Sequence, residues 1–471
     1  MNNVVIVGGG TTGWSAAALL SKDKKINVTI IEPTDIPTIG VGESTIPYIN
    51  VFHDNTELEI FNTSEWLDRV DGTLKFSIEF ADYDAIGSKW IHPFLSVMSP
   101  DRDIVARTCS SEIPLNIYKD QTDFVNDNFV LPNLVTKGFI KPDPNKKAGA
   151  AGYHINAVKY AQLLKEETLK RKNIKCINSS VEEILLDDNN IDKLVLKDNT
   201  IIQSDLFIDC TGFKGLLIEK VNSKWVKSYS DRLFVDRALA VQLPYNDKLK
   251  QQKNTTYCHA LGNGWVWNVP LQERIGTGYV FSSRHTSDND ALEEFKEHLS
   301  SMYGYNKADI HPRTVPFKVG IRPDSWKNNV VAIGLSSFFL EPIESTAIAT
   351  MHYQVETIYN MITNDHILME DKIKRFNFTN KLAIDSIASY IELHYIFSKR
   401  DDTQFWKDFT SLPLTNVQKS ILDLYTDPNK ELVSETVKAH TNGHSLFDQS
   451  SFMFLYLGFG IEPNNKTYID I

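Results

Sequence analysis

The spacing of apolar positions changes twice within the first thirty residues. Val4-Val5-Ile6-Val7 is a continuous apolar run of strand type, Gly8 to Gly13 interrupts it, and Trp14 to Leu20 resumes at helical spacing. A second strand pattern, Asn27 to Ile31, ends at Glu32. Strand, glycine turn, helix and strand therefore follow in order. Further along, Lys141 to Gly152 is rich in Pro, Gly and Asn and predicts a crossover loop. Asn156 then suits the cap of a helix whose inner face reads Ala157, Tyr160, Ala161, Leu164 and Thr168, with Lys165, Lys170, Arg171 and Lys172 on a solvated side. Short strands are predicted at 174–177, 181–186 and 191–197, and 205–210 reads as a buried strand. Alternating segments from Leu239 to Phe281 predict an antiparallel sheet, and from Ala347 onward the pattern turns helical.

Composition narrows the class. A chain of 471 residues suits two or three domains, and 42% hydrophobic with 23% charged residues is the balance of a folded globular protein. Lys plus Arg at 49 against Asp plus Glu at 60 leaves −11, which repels phosphate backbones, so nucleic acid is not an expected partner. Cys109, Cys176, Cys210 and Cys258 stand far apart without a CxxC pair, which suits neither a disulfide framework nor a zinc site and points to a reducing compartment. The best apolar runs, 330–335 and 452–457, fall short of the ~18 residues of a spanning helix. No basic region precedes the first apolar stretch, so no signal peptide is expected and the cytoplasm is the expected location.

The opening unit carries specific chemistry. Gly8 permits the tight turn, Gly10 lets backbone approach a pyrophosphate, Gly13 lets helix pack closely on strand, and Glu32 stands where a carboxylate holds an adenosine ribose. A second such unit is not found: Gly262-Asn-Gly264 runs into Trp-Val-Trp, a strand onset. One dinucleotide, FAD, is the economical reading, with a separate NAD(P)H-dependent flavin reductase to reduce it.

At Gly264-Trp-Val-Trp-Asn-Val-Pro270 the chain resembles the flavin-dependent halogenases of the tryptophan halogenase family, whose motif is Trp-x-Trp-x-Ile-Pro. The resemblance runs nearly end to end, through Gly8 to Gly13, Gly40 to Thr45, Leu74-Lys75-Phe76, His92-Pro93-Phe94, Asp205 to Phe213, Gly278 to Ser283, Gly334 to Thr346 and His394 to Trp406. It implies an α/β fold: a Rossmann-like FAD-binding domain of the flavin monooxygenase and halogenase type, an inserted antiparallel sheet and a largely helical C-terminal substrate region. The FAD-binding part is expected over 1–50, 150–225 and 325–350, and the substrate and halogenation region over 51–149, 226–324 and 351–471.

The family's chemistry implies that FADH2, oxygen and halide yield hypohalous acid, which reaches a small aromatic substrate through a tunnel. Lys75 would take up or orient the electrophilic halogen, with Glu344 and Ser345 beside it as further catalytic residues. Cofactor contacts are expected from Gly8, Gly10, Thr12, Gly13, Glu32, Gly42, Glu43, Ser44, Val181, Asp209, Gly334, Leu335 and Ile348. The backbone of Thr346 and Ala347 would hold the halide. His92, Pro93, Phe94, Trp265, Trp267, Phe447 and Phe452 would line the substrate site or tunnel.

Two departures bear on specificity. Ala347 and Phe338 stand where the family has glycine, and the C-terminal stretch offers phenylalanines instead of a Trp and Tyr cluster. Bromide or iodide is therefore expected over chloride, and phenols or indoles over tryptophan alone. An aromatic hydroxylase shares the fold and is the alternative, but its Gly-Asp near the flavin is absent, because Leu335 follows Gly334. A non-catalytic flavin-binding protein would have no need of Lys75 and Glu344. Homo-oligomerisation is left open.

Overall fold

The strand Asn3–Val7 sits at the centre of a six-stranded sheet, paired in parallel with Asn27–Glu32 on one side and Leu206–Asp209 on the other. This computed structural model describes residues 1–33, 43–94, 151–226, 229–430, 432, 434–441 and 443–461. Gly42, Cys109 and most of the loop expected at 141–152 lie outside them. Ile174–Asn178 extends the sheet beyond Asn27–Glu32, and Val330–Ala332 extends it beyond Leu206–Asp209, both in parallel. Trp326–Lys327 closes that edge in the antiparallel sense. Parallel strands are covered on both faces, which is why these runs are continuously apolar. The helices Thr11–Leu20 and Ala157–Thr168 share one core cluster with Val4 and Ile6, while Val5, Val7 and Ile31 pack on the other face against strands spanning 181–202.

Asn156 caps its helix as its sequence suggests, its side chain accepting from the N–H groups of Val158 at 3.1 Å and Lys159 at 3.3 Å. Lys170 and Lys172 are exposed as expected, whereas Lys165 and Arg171 are half-buried. Lys165 is drawn in to pair with Glu32 and lies 5.6 Å from the Trp14 ring centre, and Arg171 donates to Ser21 Oγ at 3.0 Å. Long side chains on a polar face reach back to carboxylates and carbonyls that periodicity does not register.

The second sheet has seven strands, in the order Arg313–Pro316, Arg237–Pro244, Arg274–Phe281, Gly264–Pro270, Thr255–Ala260, Ser77–Ala81 and Lys89–Pro93. The expected antiparallel sheet is thus enlarged and mixed, because Thr255–Ala260 pairs in parallel with Ser77–Ala81, with Cys258 opposite Phe80. A small third sheet sets Thr73–Lys75 against Gly152–Ile155, with Lys75 opposite Gly152. From Thr346 the chain is mainly helical, and the helix Met369–Ile396 packs an aromatic-rich core against the seven-stranded sheet. Among the described residues no helix is long and apolar enough to cross a membrane.

A Cβ at Gly13 would stand 1.8 Å from the Gly8 carbonyl oxygen, so the first strand and helix approach only with glycine there. Gly13→Ala is expected to cost about 3 kcal/mol in urea unfolding. A loss under about 0.5 kcal/mol would mean that the turn relaxes without penalty.

Candidate active site

The glycine turn leaves an anion-binding surface at the start of the helix Thr11–Leu20. Gly8 adopts φ +112, where a Cβ would meet the Cys210 carbonyl oxygen at 2.4 Å, and Gly10 offers no side-chain cap, so the first-turn N–H groups stay open to a ligand. Gly334, with φ +60, lies against Thr12, where a Cβ would come within 2.8 Å of Thr12 Oγ1. Leu335 follows in the same short helical turn, and Ile348 is half-buried in the first turn of Thr346–Ile362. These features fit the pyrophosphate of a flavin dinucleotide.

Other expected cofactor residues also bond within the frame. Glu32 accepts at Oε2 from Trp14 Nε1 at 2.9 Å and at Oε1 from Lys165, which ties the turn to the second helix. Asp209 is wholly buried. It accepts from the N–H groups of Thr211, Leu217 and Ile218 at 2.9, 2.7 and 2.9 Å and from the Thr211 hydroxyl at 2.7 Å, which anchors the loop that follows it. Glu43 accepts from Ala157 N–H at 3.1 Å, Ser44 meets Thr256 Oγ1 at 2.7 Å, and Val181 packs against the Val5 and Val7 core.

Lys75, Glu344 and Ser345 converge although 270 residues separate Lys75 from Ser345. Lys75 ends its short strand at 0% exposure, donates from Nζ to Ser345 Oγ at 2.9 Å, and lies 4.8 Å from the Phe94 ring centre. Burial lowers its pKa to about 7, against the opposing pull of Cys258 and Glu344. Ser345 is held at φ +57, an uncommon left-handed position for a residue with a side chain. That turn aims Ser345 at Lys75 and opens the helix Thr346–Ile362, which no side chain caps. Thr346 is buried and Ala347 exposed in its first turn.

Glu344 is also fully buried. Burial alone would raise its carboxyl, but His92 Nδ1 at 3.0 Å and His394 Nε2 at 2.7 Å outweigh that and hold it well below the usual carboxylate range. Glu341, three residues earlier, has the opposite fate. Burial raises it to about 7, although Tyr395 at 2.6 Å and Trp265 at 2.8 Å donate to Oε2. The sequence motifs assign no role to His394, Glu341, Cys258 or Ser451, although Glu341 lies within Gly334 to Thr346 and His394 opens His394 to Trp406.

Around the reactive groups stands an aromatic wall. Phe447 stacks on Tyr390 with centroids 3.7 Å apart, Phe452 meets the same ring edge-on at 5.0 Å, and His92 and Phe94 lie 6.0 Å apart. Trp265 is buried in the core as the Glu341 donor, and Trp267 covers Gly278, so both rings pack against the sheet. Phe338 is likewise part of the aromatic core. The side chain of Pro93 lies outside the described residues.

Comparison with known proteins identifies the family. The tryptophan halogenase family matches residues 3–469. The tryptophan 6-halogenase SttH of Streptomyces toxytricini is 32% identical over 443 residues, covering 86% of this chain and 80% of that protein. A tryptophan halogenase from Shewanella frigidimarina superposes with a TM-score of 0.83 at 28% identity, covering 98% of this chain and 89% of the other. A flavin-dependent halogenase from Xanthomonas campestris reaches 0.81 at 29% identity, with coverages of 100% and 91%. With a family match from Asn3 onward and a lysine and glutamate brought together in its core, this chain belongs to the tryptophan halogenase family and is a flavin-dependent halogenase.

Proposed function

We propose that this enzyme uses FADH2, oxygen and a halide to halogenate an electron-rich aromatic of indole or phenol type through Lys75 and Glu344. The observation that carries this reading is the buried Lys75 amine on Ser345 Oγ, beside a Glu344 kept ionised by two histidines. Reduced FAD, when bound, would react with oxygen and so supply the oxidising equivalent that converts halide to hypohalous acid. The glycine turn at Gly8 to Gly13 holds the pyrophosphate, and segments 1–50, 150–225 and 325–350 form the flavin-binding part. The open N–H groups at Thr346 and Ala347 hold the halide, since a helix start favours an anion.

Lys75 then binds the electrophilic halogen. As a free amine it displaces hydroxide from hypohalous acid, and its N–H proton joins that hydroxide as water to leave a haloamine; as an ammonium it donates a hydrogen bond to the acid. The aromatic carbon gains the halogen and loses its proton, which Glu344 accepts. A separate reductase supplies FADH2, because only one dinucleotide fingerprint is present in the sequence. The free thiols of Cys176, Cys210 and Cys258 suit a reducing compartment such as the cytoplasm.

Replacing the amine tests this assignment most simply. Lys75→Ala is expected to retain FAD binding and oxygen consumption while product formation falls at least about ten-fold, a loss of about 1.4 kcal/mol or more in transition-state stabilisation. A variant that keeps more than about a tenth of the rate would remove Lys75 from the centre of the chemistry.

Halide and substrate choice follow from the same residues. Chloride holds its water most tightly, and the backbone start at Thr346 and Ala347 offers few donors in exchange, which favours bromide and iodide. The wall of His92, Phe94, Phe447 and Phe452 recognises a ring, and ring recognition alone does not select an amino acid. In competition among equal chloride, bromide and iodide, with tryptophan and a simple phenol, brominated or iodinated products from both substrates are expected. Chlorinated tryptophan as the dominant product would contradict both preferences.

A further inference from the structure

His154 stands in the middle strand of the small sheet, opposite Ser44 on one side and Thr73 on the other, and is wholly buried. Its two ring nitrogens reach different hydroxyls, Nδ1 to Thr73 Oγ1 at 3.0 Å and Nε2 to Thr256 Oγ1 at 2.9 Å. The direction of each bond follows from the far end. A carbonyl only accepts, so the single Thr73 hydroxyl proton goes to the Pro270 oxygen at 2.7 Å, and Thr73 Oγ1 is left to accept from the ring. Burial, with Lys75 adding to it, holds the imidazole well below its ordinary value and so neutral. A neutral ring that donates from Nδ1 must accept at Nε2, so Thr256 gives its proton to the ring and in turn accepts from Ser44 Oγ at 2.7 Å. One chain of donors thus runs from Ser44 through Thr256, His154 and Thr73 to Pro270. The other tautomer would set a bare Nδ1 against the lone pairs of Thr73 Oγ1, two acceptors 3.0 Å apart.

The strand that His154 grips is the one that ends at Lys75. Thr73 and Lys75 are two residues apart in it, so their side chains share a face, and His154 and Gly152 lie opposite them in the neighbouring strand. Asn254 Nδ2 holds the Leu74 carbonyl between them at 2.9 Å, so the strand is gripped at its backbone and again at Thr73. We infer that His154 is a positioning residue for Lys75: by donating from Nδ1 to Thr73 it fixes the strand from which the amine reaches Ser345. This rests on Lys75 being the residue that carries the halogen. His154 acts through Thr73 and takes up no proton during turnover, and as a neutral ring it sets no positive charge beside the amine.

The tautomer is read by long-range proton–nitrogen NMR of the full chain, isotope-labelled in its histidines, with His154→Asn to assign the signal. His154 should show a protonated Nδ1 and a bare Nε2 that stay unchanged from about pH 6 to about pH 8. An Nε2–H tautomer, or an imidazolium in that range, overturns the inference. Turnover supplies the second readout, at saturating aromatic substrate and bromide with an excess of flavin reductase. His154→Asn keeps an amide that donates to Thr73, whereas the longer His154→Gln reaches toward Thr256 and leaves Thr73 without its donor. His154→Gln is expected to lower kcat about ten-fold, with KM and FAD affinity within about two-fold of wild type, and His154→Asn to stay within about three-fold. Asn and Gln variants of equal kcat, beside an inactive Lys75→Ala, overturn the role of His154 alone. A Lys75→Ala that keeps more than about a tenth of the rate removes the centre that His154 positions, and the inference with it.

Discussion

The structure depends on removing one lysine amine from water. A buried ammonium costs several kcal/mol even after relaxation, so the fold must either pair Lys75 fully or let it turn neutral. It does some of each: Ser345 gives one hydrogen-bond partner, Glu344 acts from nearby, and burial still lowers the amine. The position is set by backbone on both sides. Gly152 lies opposite Lys75 in the small sheet, where a Cβ would meet the Thr45 carbonyl oxygen at 2.5 Å, and Ser345 accepts left-handed strain to face the amine. Strain of that kind is retained where surrounding packing over-determines it.

Two glutamates of one turn then divide by environment. Glu341 meets an indole N–H and a phenol, neutral donors that do not offset burial, and its carboxyl rises toward neutrality. Glu344 meets two imidazoles and stays ionised. Opposite shifts in adjacent carboxyls separate roles that the sequence alone leaves alike. Glu341 pins the turn to the sheet through Trp265 and to the long helix through Tyr395, and Glu344 is thereby presented between His92 and His394.

What could be read from sequence was local. The run Val4 to Val7, the glycine turn and the Asn156 cap lie within a few residues of their partners, and each appears where its pattern implies. The parallel pairing of Thr255–Ala260 with Ser77–Ala81 joins segments 178 residues apart, and no local period encodes it. The same holds at the site. Lys75 and Glu344 were legible through motif resemblance, whereas the bonds from His92 and His394 to Glu344 span 252 and 50 residues and emerge only from the packed helices. Glu32 and Asp209 stand in ligand-type positions by spacing, and spacing does not report the Lys165 side chain or the loop amides that also bond to them.

The central claim is that Lys75 is a buried amine poised near neutral pH. Its most direct measurement is NMR titration of isotope-labelled lysine side chains in the intact protein, with Lys75→Ala to assign the signal. One lysine should titrate at about 7 and vanish in the variant. A Lys75 signal that titrates with the others, at the ordinary value of about 10.4, would contradict the account.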